Sequence, residues 1–221
     1  MARVLSKALQ SATMLLPQSF YCRDALVVAR ELLGAVITCG EVSLRITEVE
    51  AYRWPEDSAN HCHKGPTERN APMRGPAGRA YVYLCYGIHH LFNVVTGEEG
   101  EGAAVLVRGC EPVAGLETIS ARRGGRSGPI LLNGPGKVGA ALALDTSWSH
   151  HPVYRAGGLE LHAGVAPDTV LVGPRVGIDF AEPAHRDAPW RLAVAGSPWV
   201  SQRRHLRPEP SRATSSAHAG G

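Results

Sequence analysis

The chain has 221 residues, 44% of them hydrophobic, which is enough to bury one sizeable core and favours one domain over several. A formal charge of +3 with a sequence pI near 8.7 permits a nucleic-acid partner without demanding one. Five scattered cysteines without a C-x-x-C pair argue against a disulfide framework, and no apolar run approaches the ~20 residues of a membrane helix, so a cytosolic protein with reduced thiols is expected.

Residues 1–15 carry no firm structural signal and are expected to form a flexible lead-in. Asp24 can cap a helix from Ala25 to Leu33, in which Leu26, Ala29, Leu32 and Leu33 make an apolar stripe and Gly34 ends the turn. Ala35 to Thr38 and Val42 to Glu48 read as strands, with Val42, Leu44 and Ile46 on the buried face. Continued without interruption, the same period of two carries Glu48, Glu50 and Tyr52 onto that face, where an unpaired carboxylate is costly. Either a bulge turns these residues outward, or the strand delivers a carboxylate into a partly enclosed pocket. Trp54 to Ala80, rich in Pro, Gly, Asn and His, reads as a long ordered loop of the kind that carries function.

Tyr81 to Val95 reads as a β-hairpin with Gly87 in its turn. With the loop centred on Ile88, Tyr83 and Asn93 become cross-strand neighbours and Tyr86 leads at the tip. A nucleobase stacked on such a tyrosine gains ~1–3 kcal/mol, and an exposed aromatic can part a base step. From the hairpin alone, tyrosines packed within a sheet remain the commoner case.

Ala103 to Arg108 reads as a strand and Val113 to Arg123 as a short helix, whose Arg122 and Arg123 suit its C-terminal dipole. Asn133-Gly134-Pro135-Gly136 leads into a helix from Lys137 to Leu144. Leu159 to Ala163, Val170 to Val172, Arg175 to Ile178 and Arg191 to Val194 read as further strands, so antiparallel β dominates one domain over residues 16–201. Residues 202–221 are basic and rich in Ser, Ala and Gly, and are expected to form a disordered tail.

Other chemistries fit poorly. His61-Cys62-His63, His89-His90 and His150-His151 lack metal-site spacing, so no metal or other cofactor is expected. Neither a G-x-S-x-G elbow nor a Walker loop occurs.

Taken in order, R-I-T-E-V-E-A-Y (Arg45 to Tyr52), P-E-D-S-A-N-H (Pro55 to His61), T-E-R-N (Thr67 to Asn70), Y-V-Y-L-C-Y-G (Tyr81 to Gly87), V-L-V-R (Val105 to Arg108), N-G-P-G-K (Asn133 to Lys137), R-V-G-I (Arg175 to Ile178), P-W-R-L (Pro189 to Leu192) and W-V-S (Trp199 to Ser201) resemble the alkyladenine, or 3-methylpurine, DNA glycosylase family. The resemblance implies an α+β domain around a curved, barrel-like antiparallel sheet with flanking helices and a protruding hairpin that enters DNA. It implies a base-excision repair enzyme that flips alkylated or otherwise damaged purines (3-methyladenine, 7-methylguanine, hypoxanthine) from duplex DNA and hydrolyses the glycosidic bond. By that resemblance Glu50 activates water, Tyr52, His61, Tyr83 and Asn93 enclose and discriminate the base, and Tyr86, Arg108 and Arg123 contact DNA. No lysine matches a catalytic position, so a monofunctional, monomeric enzyme is expected, working on damaged double-stranded DNA in the cytoplasm or at the nucleoid, or in the nucleus if the cell has one. The alternative is a non-catalytic module that binds distorted DNA.

Overall fold

The computed structural model describes residues 14–209. Residues 1–13 and 210–221, which hold most of the expected lead-in and tail, lie outside the described residues. Among the described residues no helix is long and apolar enough to cross a membrane.

A short turn of helix, α1 (Gln18–Tyr21), precedes α2 (Ala25–Leu32), which begins where expected because the Asp24 carboxylate accepts from the Leu26 and Val27 N–H groups at 2.9 and 3.4 Å. Its Val28, Ala29 and Leu32 are fully buried, and burying a residue of leucine size contributes about 1.5–3 kcal/mol. The chain then enters β1 (Val36–Cys39) and β2 (Val42–Tyr52). After the long loop, β3 (Ala80–Cys85) and β4 (His89–Thr96) pair antiparallel. They are followed by β5 (Ala103–Ala114), α3 (Leu116–Arg122), α4 (Pro135–Ala141), β6 (Leu159–His162), β7 (Val170–Gly173), α5 (Pro183–Arg186), β8 (Arg191–Val194) and β9 (Arg207–Pro208).

The strands form one antiparallel sheet in the order β3-β4-β5-β2-β8-β7-β9. β2 is its spine: one edge pairs with β5 along its length, while the other pairs first with β1 and then with β8. β1 in turn pairs with β6. The path ends at β3 and β9, so strand pairing among the described residues leaves the sheet open instead of closing it like a barrel.

The register shift against β5 between Ile46 and Glu48 marks a bulge in β2 at Thr47, and the next, between Glu48 and Val49, leaves the extra residue, Arg108, in β5. Before it, Val42, Leu44 and Ile46 enter the main core; after it, Val49 and Ala51 take their place. The bulge therefore moves Glu48, Glu50 and Tyr52 to the opposite face, yet both glutamates remain 0% exposed. Both readings of that strand contribute: the bulge turns the carboxylates off the core, and the face they reach is covered.

Several boundaries differ from expectation. β5 runs on to Ala114, well past Arg108, so α3 starts at Leu116. α4 begins at Pro135, whose missing N–H is no loss in the first turn of a helix. Arg175 to Ile178 is not a strand, because the Arg175 guanidinium and the Val176 N–H are turned toward side chains and leave the ladder. Residues 202–209, expected to begin the disordered tail, fold back instead: β9 pairs with β7, Leu206 is buried, and Glu209 joins Arg30 in an ion pair.

The long loop is ordered by two buried asparagines. Asn60 Nδ2 donates to the carbonyls of Arg53 (2.6 Å) and Gly102 (3.0 Å), and Asn70 Nδ2 to those of His61 and Gly65, both at 2.9 Å. Beneath them a second small core of Cys62, Met73, Tyr81, Val95 and Ala104 fastens the loop to β3 and β4. The hairpin rests on α4 just past its turn, where a β-carbon at Gly139 would collide with the His90 carbonyl and one at Gly136 with the His89 ring.

Candidate active site

A cleft of about 590 Å³ opens between the hairpin, the long loop and the 175–180 segment. Its lining includes Tyr52, His61, Tyr83, Tyr86, Asn93 and Arg108, six of the residues singled out from sequence. Glu50 is not part of that lining: it is fully buried directly behind Tyr52, Arg108 and Val176, with both carboxylate oxygens engaged. Oε1 accepts from the Val176 N–H at 2.7 Å and lies 3.3 Å from Arg108 Nη1, while Oε2 accepts from the Tyr52 hydroxyl at 3.0 Å. Four lone-pair positions meet three partners, which leaves the Tyr52 side of the carboxylate able to accept one more proton donor.

Tyr52 is fixed from behind. Its ring is covered by the Arg175 guanidinium at 4.6 Å, which also covers Trp190 at 4.9 Å and is held by Asp57 through two hydrogen bonds of 2.5 and 2.7 Å. Arg175 and Asp57 are both fully buried at their side chains, so this is a neutral, self-contained brace. Burial first, and the neighbouring Glu50 carboxylate next, push the Tyr52 phenol well above its ordinary range, so it stays protonated and donates.

The opposite wall is aromatic. Tyr81 and Tyr83, two apart on β3, face the same way with ring centroids 5.5 Å apart. The His61 ring meets Tyr83 edge to face at 4.6 Å, and its Nδ1 lies 2.9 Å from the Tyr81 hydroxyl. Although one side of His61 is open to the cleft, loss of water on its packed side and then the nearby Arg69 cation hold the imidazole below its ordinary range. Neutral at physiological pH, it can accept or donate one hydrogen bond without placing a charge beside the rings.

The hairpin register corrects one expectation. Cys85 pairs with His89, so the turn is centred on Gly87, and Asn93 lies opposite Tyr81 with Leu91 opposite Tyr83. Asn93 is buried and still lines the cleft, with its amide nitrogen 3.0 Å from the Tyr81 carbonyl. Tyr86 and Gly87 take φ values of 51° and 70°, the left-handed pair of a tight hairpin turn, which Gly87 accepts freely and Tyr86 does not. Tyr86 is 89% exposed, with Ile88 beside it at 72%.

Arg108 joins two carboxylates: its Nε donates to Glu48 at 3.2 Å and its Nη1 faces Glu50. Burial weakens its charge, but Glu50 and then Glu48 outweigh that and hold the guanidinium above its ordinary range. Arg123 is not brought into the cleft. It ends α3 and donates to the Leu131 carbonyl at 3.1 Å, in a group of cations with Arg126 and Lys137.

Sequence reasoning missed Tyr81, the Arg175–Asp57 brace, the Val176 N–H and Phe180, a cleft-lining side chain that is 75% exposed. The Y-V-Y alternation could have found Tyr81; the brace and the Val176 N–H depend on contacts more than a hundred residues apart in the chain.

A family model described as methylpurine-DNA glycosylase (MPG) matches residues 19–198. A protein of Nitrosococcus oceani, provisionally named a 3-methyladenine DNA glycosylase, is 64% identical over 196 residues, which cover 89% of this chain and 98% of that protein. DNA-3-methyladenine glycosylase of Arabidopsis thaliana is 57% identical over 194 residues, 87% of this chain and 76% of that protein.

Proposed function

The chain belongs to the methylpurine-DNA glycosylase family, and from that membership we propose that it removes alkylated and related damaged purines from duplex DNA as a monofunctional, monomeric glycosylase that needs no cofactor. The observation that carries the mechanism is Glu50: a fully buried carboxylate held by three partners, with one lone-pair position to spare, directly behind the lining of an aromatic cleft.

In this reading Tyr86 enters the base stack and takes the place of the extruded nucleotide, whose base lies against Tyr83 and Tyr52 with His61 at its edge. Flipping costs a few kcal/mol and least at a damaged pair, and stacking on tyrosine offsets about 1–3 kcal/mol of it. A purine alkylated on a ring nitrogen is cationic, so it stacks well on phenol faces and leaves readily. Asn93, held by the Tyr81 carbonyl, excludes bases with an additional amino group in its direction. Water admitted to the spare lone-pair position of Glu50, on its Tyr52 side, gives its proton to the carboxylate as its oxygen bonds to the anomeric carbon. The glycosidic electron pair departs with the purine, leaving a free base and an abasic site. Arg108 and the Val176 N–H hold the carboxylate still during this step.

The test is release of free purine from a duplex carrying 7-methylguanine. Wild-type protein should release it with or without chelator, and Glu50→Gln should reduce release by about 10²–10⁴ while keeping duplex affinity. Wild-type protein that holds the duplex and releases no base would instead be a non-catalytic binder of distorted DNA.

A further inference from the structure

Neither Glu48 nor Glu50 is part of the cleft lining, and Glu48 is as deeply buried as Glu50 and gathers more partners. Its Oε1 accepts from Arg108 Nε at 3.2 Å and from the Ser201 hydroxyl at 2.9 Å, and its Oε2 accepts from the Ser201 N–H at 2.7 Å. Arg191 Nε lies 3.1 Å from Oε1, off the line of a good hydrogen bond, while its Nη2 donates to the carbonyls of Ser201 and Gln202 at 3.1 and 2.9 Å. The segment after β8 is thus clasped onto Glu48, and Glu48 reaches Glu50 through a single guanidinium.

We propose that Glu48 is a positioning residue that sets the proton affinity of Glu50 through the shared Arg108, with Ser201 and Arg191 holding Glu48 in place. This rests on the reading of Glu50 as the base.

The argument is one of charge. Facing Glu50 are Arg108 from β5, Glu48 and Tyr52 from β2, Arg191 opposite it on β8, Tyr83 from the hairpin, and Arg175 behind Tyr52. Asp57 neutralises Arg175, and the phenols, raised by burial, carry no charge. Two glutamates and two arginines remain, and they cancel. Take away the Glu48 charge and both cations act on Glu50 alone. Its carboxylate then ionises more easily and accepts a proton from water less readily. A residue that merely packs would alter the amount of folded protein without altering the acid strength of its neighbour.

The experiment is the pH dependence of single-turnover base release from a 7-methylguanine duplex. Melting temperature and affinity for a duplex carrying a tetrahydrofuran abasic analogue report folding. Glu48→Gln should move the acidic limb about one pH unit lower and reduce the plateau about three- to tenfold, with analogue affinity within about twofold of wild type. Glu48→Asp, which keeps the charge, should return the limb toward wild type. Arg191→Gln, which removes a cation, should move it higher, and it serves where Glu48→Gln does not fold. A limb that stays put in Glu48→Gln or in Arg191→Gln, or that moves as far in Glu48→Asp as in Glu48→Gln, overturns the proposal. If Glu50→Gln still releases base, it is the assignment of the base that fails; if Glu50→Gln is inert and the limb does not move, only the role of Glu48 falls.

Discussion

At the tip of the hairpin Tyr86 and Ile88 are 89% and 72% exposed, while in the floor beneath the cleft lining Glu48, Glu50, Arg108 and Arg191 are all at least nine-tenths buried. The two regions depart from the usual distribution in opposite senses, apolar groups outside and charged groups inside. Each departure has a cost. The tip holds a tyrosine at φ 51°, worth about 1–2 kcal/mol of backbone strain, and the floor strips four charges of water. The floor recovers its cost internally through ion pairs and donated hydrogen bonds. The tip has no such compensation among the described residues, and on the proposed reading its return comes from DNA.

That contrast gives the substitutions opposite expected signatures. Arg108→Leu leaves Glu48 and Glu50 buried beside too few donors and should destabilise the fold by about 3–5 kcal/mol, read as a shift in the denaturant midpoint. Retained stability in that variant would mean the floor is wetter than its geometry indicates. Tyr86→Ala should leave the midpoint within about 1 kcal/mol of wild type yet weaken binding to a damaged duplex by about 1–3 kcal/mol, and Tyr86→Gly should melt no lower than wild type because the strain is relieved. Loss of stability in either would place the tip in the fold's own packing. The smallest effect concerns His61. Its pKa in the fold lies below the unfolded value of about 6.5, so the stability it contributes is complete above pH 6.5 and is lost as pH falls through the folded value. Acid titration of wild type against His61→Gln should diverge only in that window, and binding of cationic bases should weaken there too as the imidazole gains charge. Identical curves would show that the ring is not held neutral.

The sequence showed the tip more clearly than the floor. Tyr83, Tyr86 and the β-rich flanks of Gly87 are local signals, and only the turn centre was one residue off, which shifts the cross-strand partners by two, because Gly87 and Ile88 are both plausible centres and a turn of three residues settles on Gly87. Asp24 and the apolar stripe after it marked α2 for the same local reason. The period-two count found that Glu48 and Glu50 were anomalous, but the bulge that resolves the anomaly depends on how β2 meets β5. Nothing near Ser201 in the chain announces that it reaches Glu48, a residue 153 positions earlier. Arg175 to Ile178 read as a strand because it alternates apolar residues; the acceptors that pull it from the sheet, Asp57 and Glu50, are invisible at that range.

The seating of β4 on Gly136 and Gly139 of α4 bears on how the finger meets its target. Gly139 meets the His90 carbonyl and Gly136 the His89 ring, and α4 has no room for a side chain at either position, so the start of β4 is seated tightly. If the finger enters DNA as proposed, so tight a mount leaves the bending and unstacking to the nucleic acid, and the stiffness of each base step then helps decide where the protein stops.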